Sequence, residues 1–237
     1  QDYVNHFVNR AGRTMILLAD GMGGHRAGNI ASEMAVTDLG AAWVDTQIET
    51  VNEVREWFAH HLEIENQKIY QLGRDEAYRG MGTTLEALAI IDNQAIYAHI
   101  GDSRIALIRG EEYRLMTSDH SLVNELIRAG EITLEESYLH PHRNAVTQSI
   151  GLTHPLEVAI QTVPSQEAEM LLLCSDGLTN MVSPQALEEL FRSSRQEADF
   201  AQQLIAAANE AGGMDNISVI IASDLSTENL EEVSEWK

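Results

Sequence analysis

Apolar and polar positions follow two different periods along this chain, and the switch between them predicts its elements. Residues 14–19 form a continuous apolar run, the pattern of a strand buried on both faces. A glycine-rich loop at 21–28 follows, and from about Asn29 the positions Ile30, Met34 and Ala35 fall at helical spacing. Residues 51–72 predict a longer amphipathic helix with Val54, Trp57, Phe58, Leu62 and Ile69 on its inner face. After Gly80-Met81-Gly82 the period becomes that of strands. Residues 83–91 and 95–100 flank Asp92-Asn93, a good hairpin turn, and 105–109 with 113–116 make a second hairpin around Gly110. Consecutive antiparallel hairpins argue against a purely parallel, doubly wound sheet.

Residues 118–149 break this pattern: they are polar, with short helical pieces at 122–129 and 134–139. The second piece opens on a capping box, Thr133 with Glu136. Such a segment between strands reads as a surface flap. Strands resume at 157–163 and 170–175. Ser183-Pro184 marks a helix start, 197–211 is a helix closed by Gly212-Gly213, and 217–222 is a last buried strand. No low-complexity linker divides the chain, so residues 1–223 read as a single domain and 224–237 as an acidic tail that packs loosely. The expected class is α+β, strand-rich at its centre with helices outside.

Charge narrows the partners. Fifteen basic against 37 acidic side chains give −22, which argues against nucleic acid or an anionic membrane, since both need a basic patch. An anionic substrate would then need positive charge from another source, and bound metal would supply it. Cys174 is the one cysteine, so an intrachain disulfide is excluded and a reducing cytosol fits best. No apolar stretch approaches the ~20 residues of a membrane span and no signal peptide opens the chain, so a cytoplasmic protein without membrane insertion is expected. The chain begins at Gln1-Asp2 without an initiator Met and reads as a processed or truncated piece.

Four aspartates stand where an apolar run meets Gly, Asn or Ser: Asp20, Asp102, Asp176 and Asp215. Carboxylates at the ends of core strands are costly to desolvate unless their charge is compensated, and a cluster of oxygen ligands suits Mg²⁺ or Mn²⁺. Taken singly, each has a plainer reading. Asp20-Gly21 and Asp176-Gly177 could be ordinary turns, Asp215-Asn216 a cap after the glycine helix stop, and Asp102 a salt-bridge partner for Arg104. Their recurrence on four different strands is harder to dismiss. Gly21, Gly23 and Gly24 would let the backbone approach a ligand, and the Gly21 carbonyl could itself bind metal. His25 ends the glycine loop as a candidate proton donor, although a loop histidine is more often solvated and idle. His120, His140 and His142 match no zinc spacing and read as structural or surface residues. A P-loop and a G-x-S-x-G elbow are both absent.

With those residues in view, the chain resembles the metal-dependent protein phosphatases (the PPM, or protein phosphatase 2C, family). It looks most like the bacterial branch that works beside membrane-bound Ser/Thr kinases with PASTA repeats, and is close to streptococcal members. The matching stretches are Gln1-Asp2, ADGMGGHRAG at 19–28, GMGTT at 80–84, GDSR at 101–104, TSDH at 117–120, SIG at 149–151, SDGL at 175–178 and GMDNISV at 213–219. The resemblance implies two central β-sheets between helix pairs, with a metal centre of Mn²⁺ or Mg²⁺ at one end. It makes Asp20 the bridge between two core metals, with the Gly21 carbonyl on one of them and Asp176 and Asp215 completing the ligands of the first metal. Asp2 matches the acidic residue near the second metal, Asp102 with Asp176 would hold a weaker third, and Asn216 would support the site. Arg104 would be structural, and the flap would influence substrate choice.

The implied activity is hydrolysis of phosphoserine and phosphothreonine in proteins by a hydroxide bridging the metals. The implied partners are phosphorylated proteins, including a PASTA-type kinase and its substrates, met by a monomer. Two features depart from the family. The phosphate-binding Arg that members carry a few residues before the Gln1-Asp2 pair is not in this chain, nor is the first sheet strand. Eukaryotic members also place a histidine directly after the Asp-Gly pair, where this chain has Met22, leaving His25 as the neighbouring acid candidate. A catalytically weak, phosphatase-like regulatory or binding domain is the alternative reading.

Overall fold

The computed structural model describes residues 1–237 except 111, 196, 224 and 226–237, and His25 by its main chain alone. The predicted acidic tail therefore lies outside the described residues, Leu225 apart. Strands β1 (Asp2–Val8) and β2 (Thr14–Met22) lead into helices α1 (His25–Val44) and α2 (Val51–Leu72). The short β3 (Gly82–Thr83) precedes β4 (Leu85–Ile91), β5 (Gln94–Ile100), β6 (Arg104–Arg109) and β7 (Glu112–Leu115). The flap segment carries α3 (Leu122–Ala129) and α4 (Leu134–Ser137). Then come β8 (Ala159–Pro164), β9 (Met170–Cys174), α5 (Asp176–Thr179), α6 (Pro184–Ser194), α7 (Phe200–Glu210) and β10 (Val219–Ser223).

All sheet pairs among the described residues are antiparallel. One sheet has the order β1-β2-β4-β5-β8 with β3 added on β2, and the other has the order β10-β9-β6-β7. Side-chain alternation on these strands decides the layering. Met15, Leu17 and Ala19 of β2 face α1 and α2, where they meet Ala35, Leu39, Trp43, Phe58 and Leu62. Ile16 and Leu18 point the other way, into an intersheet layer with Leu88, Ile90, Ile105, Leu107, Leu171 and Ile220. Ala106, Ile108, Leu172 and Cys174 form a third layer against α6 and α7, with Leu187, Phe191, Phe200 and Leu204. The result is helix, sheet, sheet, helix: the α+β class expected from the periodicity, arranged as the two-sheet sandwich that the resemblance implies.

Local chemistry matches several expected boundaries. Helix α2 begins on a complete capping box in which Thr50 and Glu53 satisfy each other's backbone N–H groups. Asp92 and Asn93 both have positive φ, 51° and 57°, as a two-residue hairpin turn requires. Ser183 caps α6 by accepting from the Ala186 N–H, with proline in the first turn.

The structure also departs from the pattern in instructive places. Strand β1 carries no apolar run because it lies at a sheet edge: Val4 is its one buried side chain, while Tyr3 and Phe7 are partly buried against the helices. The glycine-rich stretch 21–28 is not a free loop. Strand β2 extends to Met22 through pairing with β3, and α1 already starts at His25. Gly21 and the helical Gly28 approach so closely that a Cβ at Gly21 would run into the Gly28 carbonyl and one at Gly28 into the Gly21 main chain and the Gln1 side chain. Gly40, also helical, leaves room for the Phe7 ring, which lies where a Cβ would stand.

Leu88 is fully buried between the sheets. Truncating it as Leu88→Ala is expected to cost about 2–5 kcal/mol of stability, whereas Thr50→Ala at the α2 cap costs about 1 kcal/mol. Urea unfolding midpoints check both values; equal losses would contradict the assignment of Leu88 to the central layer.

Candidate active site

Five aspartates come together at one end of the sandwich. Asp2 and Asp20 are direct cross-strand partners on β1 and β2. Thr84 fixes the Asp20 main chain from both sides: its Oγ1 accepts the Asp20 N–H at 2.9 Å and its N–H donates to the Asp20 carbonyl at 2.8 Å. The same Oγ1 lies 2.8 Å from Ser103 Oγ, which ties Asp20 to the turn carrying Asp102. That turn needs Gly101, whose φ is +109° and whose missing Cβ leaves space for the Thr84 side chain.

Asp176 opens α5 immediately after β9. One of its oxygens, Oδ2, accepts from Asn180 Nδ2 at 2.8 Å. Gly177 behind it is pressed against the Asn216 carbonyl with no room for a side chain. The Ser175 N–H donates to the Ser218 carbonyl at 3.1 Å, and Ser175 Oγ accepts from the Ser218 N–H at 3.0 Å. These contacts hold the segment bearing Asp215 beside Asp176. Asp215 is exposed and receives the Asn216 N–H on Oδ1 at 2.8 Å. Gly21 donates its N–H to the Gln1 carbonyl at 3.1 Å and is packed against Gly28.

The carboxylates disturb one another as closely placed charges must. Burial, followed by the charges of Asp2, Asp176 and Asp102, pushes Asp20 up to about 10. Burial and then Asp176 and Asp119 push Asp102 up to about 7. Asp176 is raised by burial and by Asp215, against a hydrogen bond with Asp20 that pulls it down. Both oxygens of Asp2 and Oδ1 of Asp176 are buried with no hydrogen-bond partner. Unmade hydrogen bonds at buried carboxylate oxygens are costly, so these atoms call for a cation or protons.

The donor set is all oxygen, the chemistry of Mg²⁺ and Mn²⁺. Among the described residues, no group of three or more His, Cys, Asp or Glu side chains is set to hold an ion as it stands. Mg²⁺ and Mn²⁺ accept main-chain carbonyls and waters as ligands, so a set completed by the Gly21 carbonyl does not require such a cage. Orphaned oxygens and mutual charge both fit a cation here.

Arg104, the plainer partner for Asp102, is engaged elsewhere. It makes a bidentate pair with Asp119, Nε to Oδ1 at 2.9 Å and Nη2 to Oδ2 at 2.7 Å. A cleft of about 70 Å³ is lined by Asp102 and Asp176 together with Ser137, Tyr138 and Arg143 of the flap. Volume alone would point elsewhere, to the groove of about 510 Å³ along residues 139–145 of the flap, but no carboxylate lines it.

The structure thus brings together Asp2, Asp20, Asp102, Asp176 and Asp215. His25 begins α1 just beyond the glycine stretch, and its side chain lies outside the described residues. Thr84 and Asp119 fall within the matching stretches GMGTT and TSDH but had no role assigned to them, and Asn180 escaped the sequence reading altogether. Asn180 stands four residues after Asp176, a helical spacing that could have found it. Thr84 acts through main-chain contacts to a distant strand, for which the sequence carries no signal. His142 is exposed and His140 half-buried, and His120 is half-buried at the flap root, where its Nδ1 accepts the Gly101 N–H at 3.1 Å.

Comparison with known proteins agrees with this arrangement. The family profile of protein phosphatase 2C matches residues 1–213. Protein phosphatase PhpP of Streptococcus pneumoniae is 69% identical over 223 residues, covering 94% of this chain and 91% of that protein. The solved S. agalactiae serine/threonine phosphatase is 50% identical with a TM-score of 0.89, covering 94% of this chain and 92% of the other. The catalytic domain of the serine/threonine protein phosphatase PstP, solved with 2 manganese ions, is 30% identical with a TM-score of 0.75 over 94% of this chain and 96% of its own. The chain belongs to the protein phosphatase 2C family.

Proposed function

We propose that this protein is a metal-dependent protein serine/threonine phosphatase that hydrolyses phosphoserine and phosphothreonine directly, without a phosphoenzyme. The observation that carries the reading is the convergence of Asp2, Asp20, Asp102, Asp176 and Asp215 with carboxylate oxygens left unpaired, in a chain of this family. The PstP domain with its manganese ions supports the choice of cation. In this reading Asp20 would be shared by two core ions of Mn²⁺ or Mg²⁺, the Gly21 carbonyl would hold one of them, and Asp176 and Asp215 would complete the ligands of the first. Asp2 serves the second, and Asp102 with Asp176 holds a weaker third.

Bound ions supply positive charge for a phosphate dianion and bring the pKa of water toward about 7, so hydroxide is available at neutral pH. The chain's own residues set the geometry. Thr84 holds Asp20 in place through the main chain, and Asn180 fixes Oδ2 of Asp176 so that Oδ1 points free. Arg104 is occupied by Asp119 and leaves the phosphate to other positive charge. His25, at the start of α1, is the candidate to protonate the departing serine or threonine oxygen.

The proposed substrates are phosphorylated proteins, among them a PASTA-type kinase and its targets, met by a monomer in the cytoplasm. Among the described residues no helix is long and apolar enough to cross a membrane.

Phosphate release from p-nitrophenyl phosphate and a phosphothreonine peptide tests the activity. Wild type should turn over with Mn²⁺ and stop with a chelator, and Asp176→Asn should lower kcat/KM by at least ~100-fold. A wild type without turnover would favour the weak regulatory domain, and an unaffected Asp176→Asn would refute the ligand assignment. A second test needs no substrate. Asp20 at about 10 and Asp102 at about 7 titrate well above an unfolded aspartate, so the metal-free fold binds more protons than the unfolded chain from about pH 4 up to each of those values. That contribution is complete at acid pH and is lost as pH rises through about 7 and toward 10. The Tm gain from added Mn²⁺ should therefore be larger at about pH 8.5 than at about pH 6 by scanning calorimetry. An equal or smaller gain at the higher pH would contradict it.

A further inference from the structure

Two ionisable side chains lie in the intersheet layer. Glu86 of β4 and His99 of β5 are direct cross-strand partners on the face that also carries Leu88, Ile90, Ala95 and Tyr97. Glu86 is 0% exposed and His99 6%. Glu86 Oε1 is 2.5 Å from His99 Nδ1, and His99 Nε2 donates to the Ser118 carbonyl at 3.1 Å. A carbonyl oxygen can only accept, so Nε2 carries a hydrogen and the ring orientation is set at both nitrogens. Burial pushes the Glu86 carboxyl up to about 7, while for His99 the Glu86 charge and hydrogen bonds outweigh burial and raise it. Oε2 of Glu86 has no partner. Apolar residues of similar volume would ordinarily be as stable here or more so, and the pair contributes something besides stability.

Its contacts lead to the flap and the Asp102 turn. Ser118 is the first residue of the flap segment. The His99 ring stacks on His120 with centroids 4.7 Å apart and planes 23° from parallel. His120 accepts the Gly101 N–H on Nδ1, donates its own N–H to the Gly101 carbonyl at 2.8 Å, and accepts the Thr147 N–H on its carbonyl at 2.8 Å. His120 therefore joins the turn before Asp102 to both ends of the flap, through its ring at Gly101 and its main chain at Gly101 and Thr147, and a second imidazole, held by Glu86, supports that ring from the core.

We propose that Glu86 is a positioning residue, acting through His99 and His120 to fix the Gly101-Asp102 turn and both roots of the 118–149 flap in one arrangement. The inference rests on the proposed function for the use of that arrangement in catalysis, but the contacts themselves do not depend on it.

Three variants separate positioning from plain stability. Glu86→Gln keeps the shape and removes the charge. His120→Phe keeps a stacking ring and removes the acceptor for Gly101, at a half-buried position that tolerates change even if Glu86→Gln unfolds. Leu88→Ala removes core volume from the same face and serves as control. In metal-free protein, amide exchange at Gly101, His120 and Thr147 should rise about tenfold or more in the first two variants relative to amides of β6 and β9, with no such selectivity in Leu88→Ala. In the Mn²⁺-loaded enzyme, KM for a phosphothreonine peptide should rise about fivefold while KM for p-nitrophenyl phosphate stays put, because only the peptide reaches the flap. Exchange that is no more selective than in Leu88→Ala, or KM rising equally for both substrates, overturns the proposal. A wild type lacking turnover would count against the function alone, and the exchange measurement would still decide the role of Glu86.

Discussion

Like charge at close quarters is the constraint around which this molecule is organised. Asp2, Asp20, Asp102 and Asp176 are set at the ends of strands from two sheets, partly buried, with Asp215 exposed at the rim. Carboxylates held this way cannot all ionise without a compensating cation, and the upward displacement of Asp20 and Asp102 is the metal-free form of that conflict. A fold selected for stability alone would not keep it. The surrounding structure holds the conflict in place: Thr84 on Asp20, Ser175 on Ser218, and glycines wherever two backbones approach too closely for a Cβ. Strain of this sort is usual where a site is preorganised for a ligand.

The sandwich provides the rigidity this requires. Three apolar layers fix both sheets against each other and against their helices, so groups far apart in the chain keep their relative positions. Asp20 and Asp176 are separated by most of the sequence, yet Asp20 lies near the end of β2 and Asp176 just after β9, strands whose residues are buried on each face. Order in the strands thus becomes order in the carboxylates, and a flap can vary beside them without disturbing the centre.

Much of this was legible in the sequence, for identifiable reasons. Strands such as β2, β4 and β5 are buried on both faces and show as plain apolar runs. The Asp92-Asn93 turn and the Ser183-Pro184 helix start carry their own local chemistry. The recurring pattern of apolar strand followed by aspartate pointed to residues that the fold does bring together. Edge strand β1 stayed hidden because one edge and a polar composition leave no period to detect. The glycine stretch read as a loop because its purpose, close approach of Gly21 to Gly28, depends on a partner several residues away. The role of Thr84 and the pairing of Glu86 with His99 were hidden for the same reason: they lie in contacts across strands, and no local spacing records them.

Proton release on metal binding tests the charge-compensation idea most directly. Isothermal titration of Mn²⁺ into metal-free protein at about pH 7, in two buffers of different ionisation enthalpy, counts the protons displaced. If a cation takes the place of protons shared among these aspartates, binding releases about one proton or more, and Asp20→Asn reduces that number. Binding with no net proton release would contradict it.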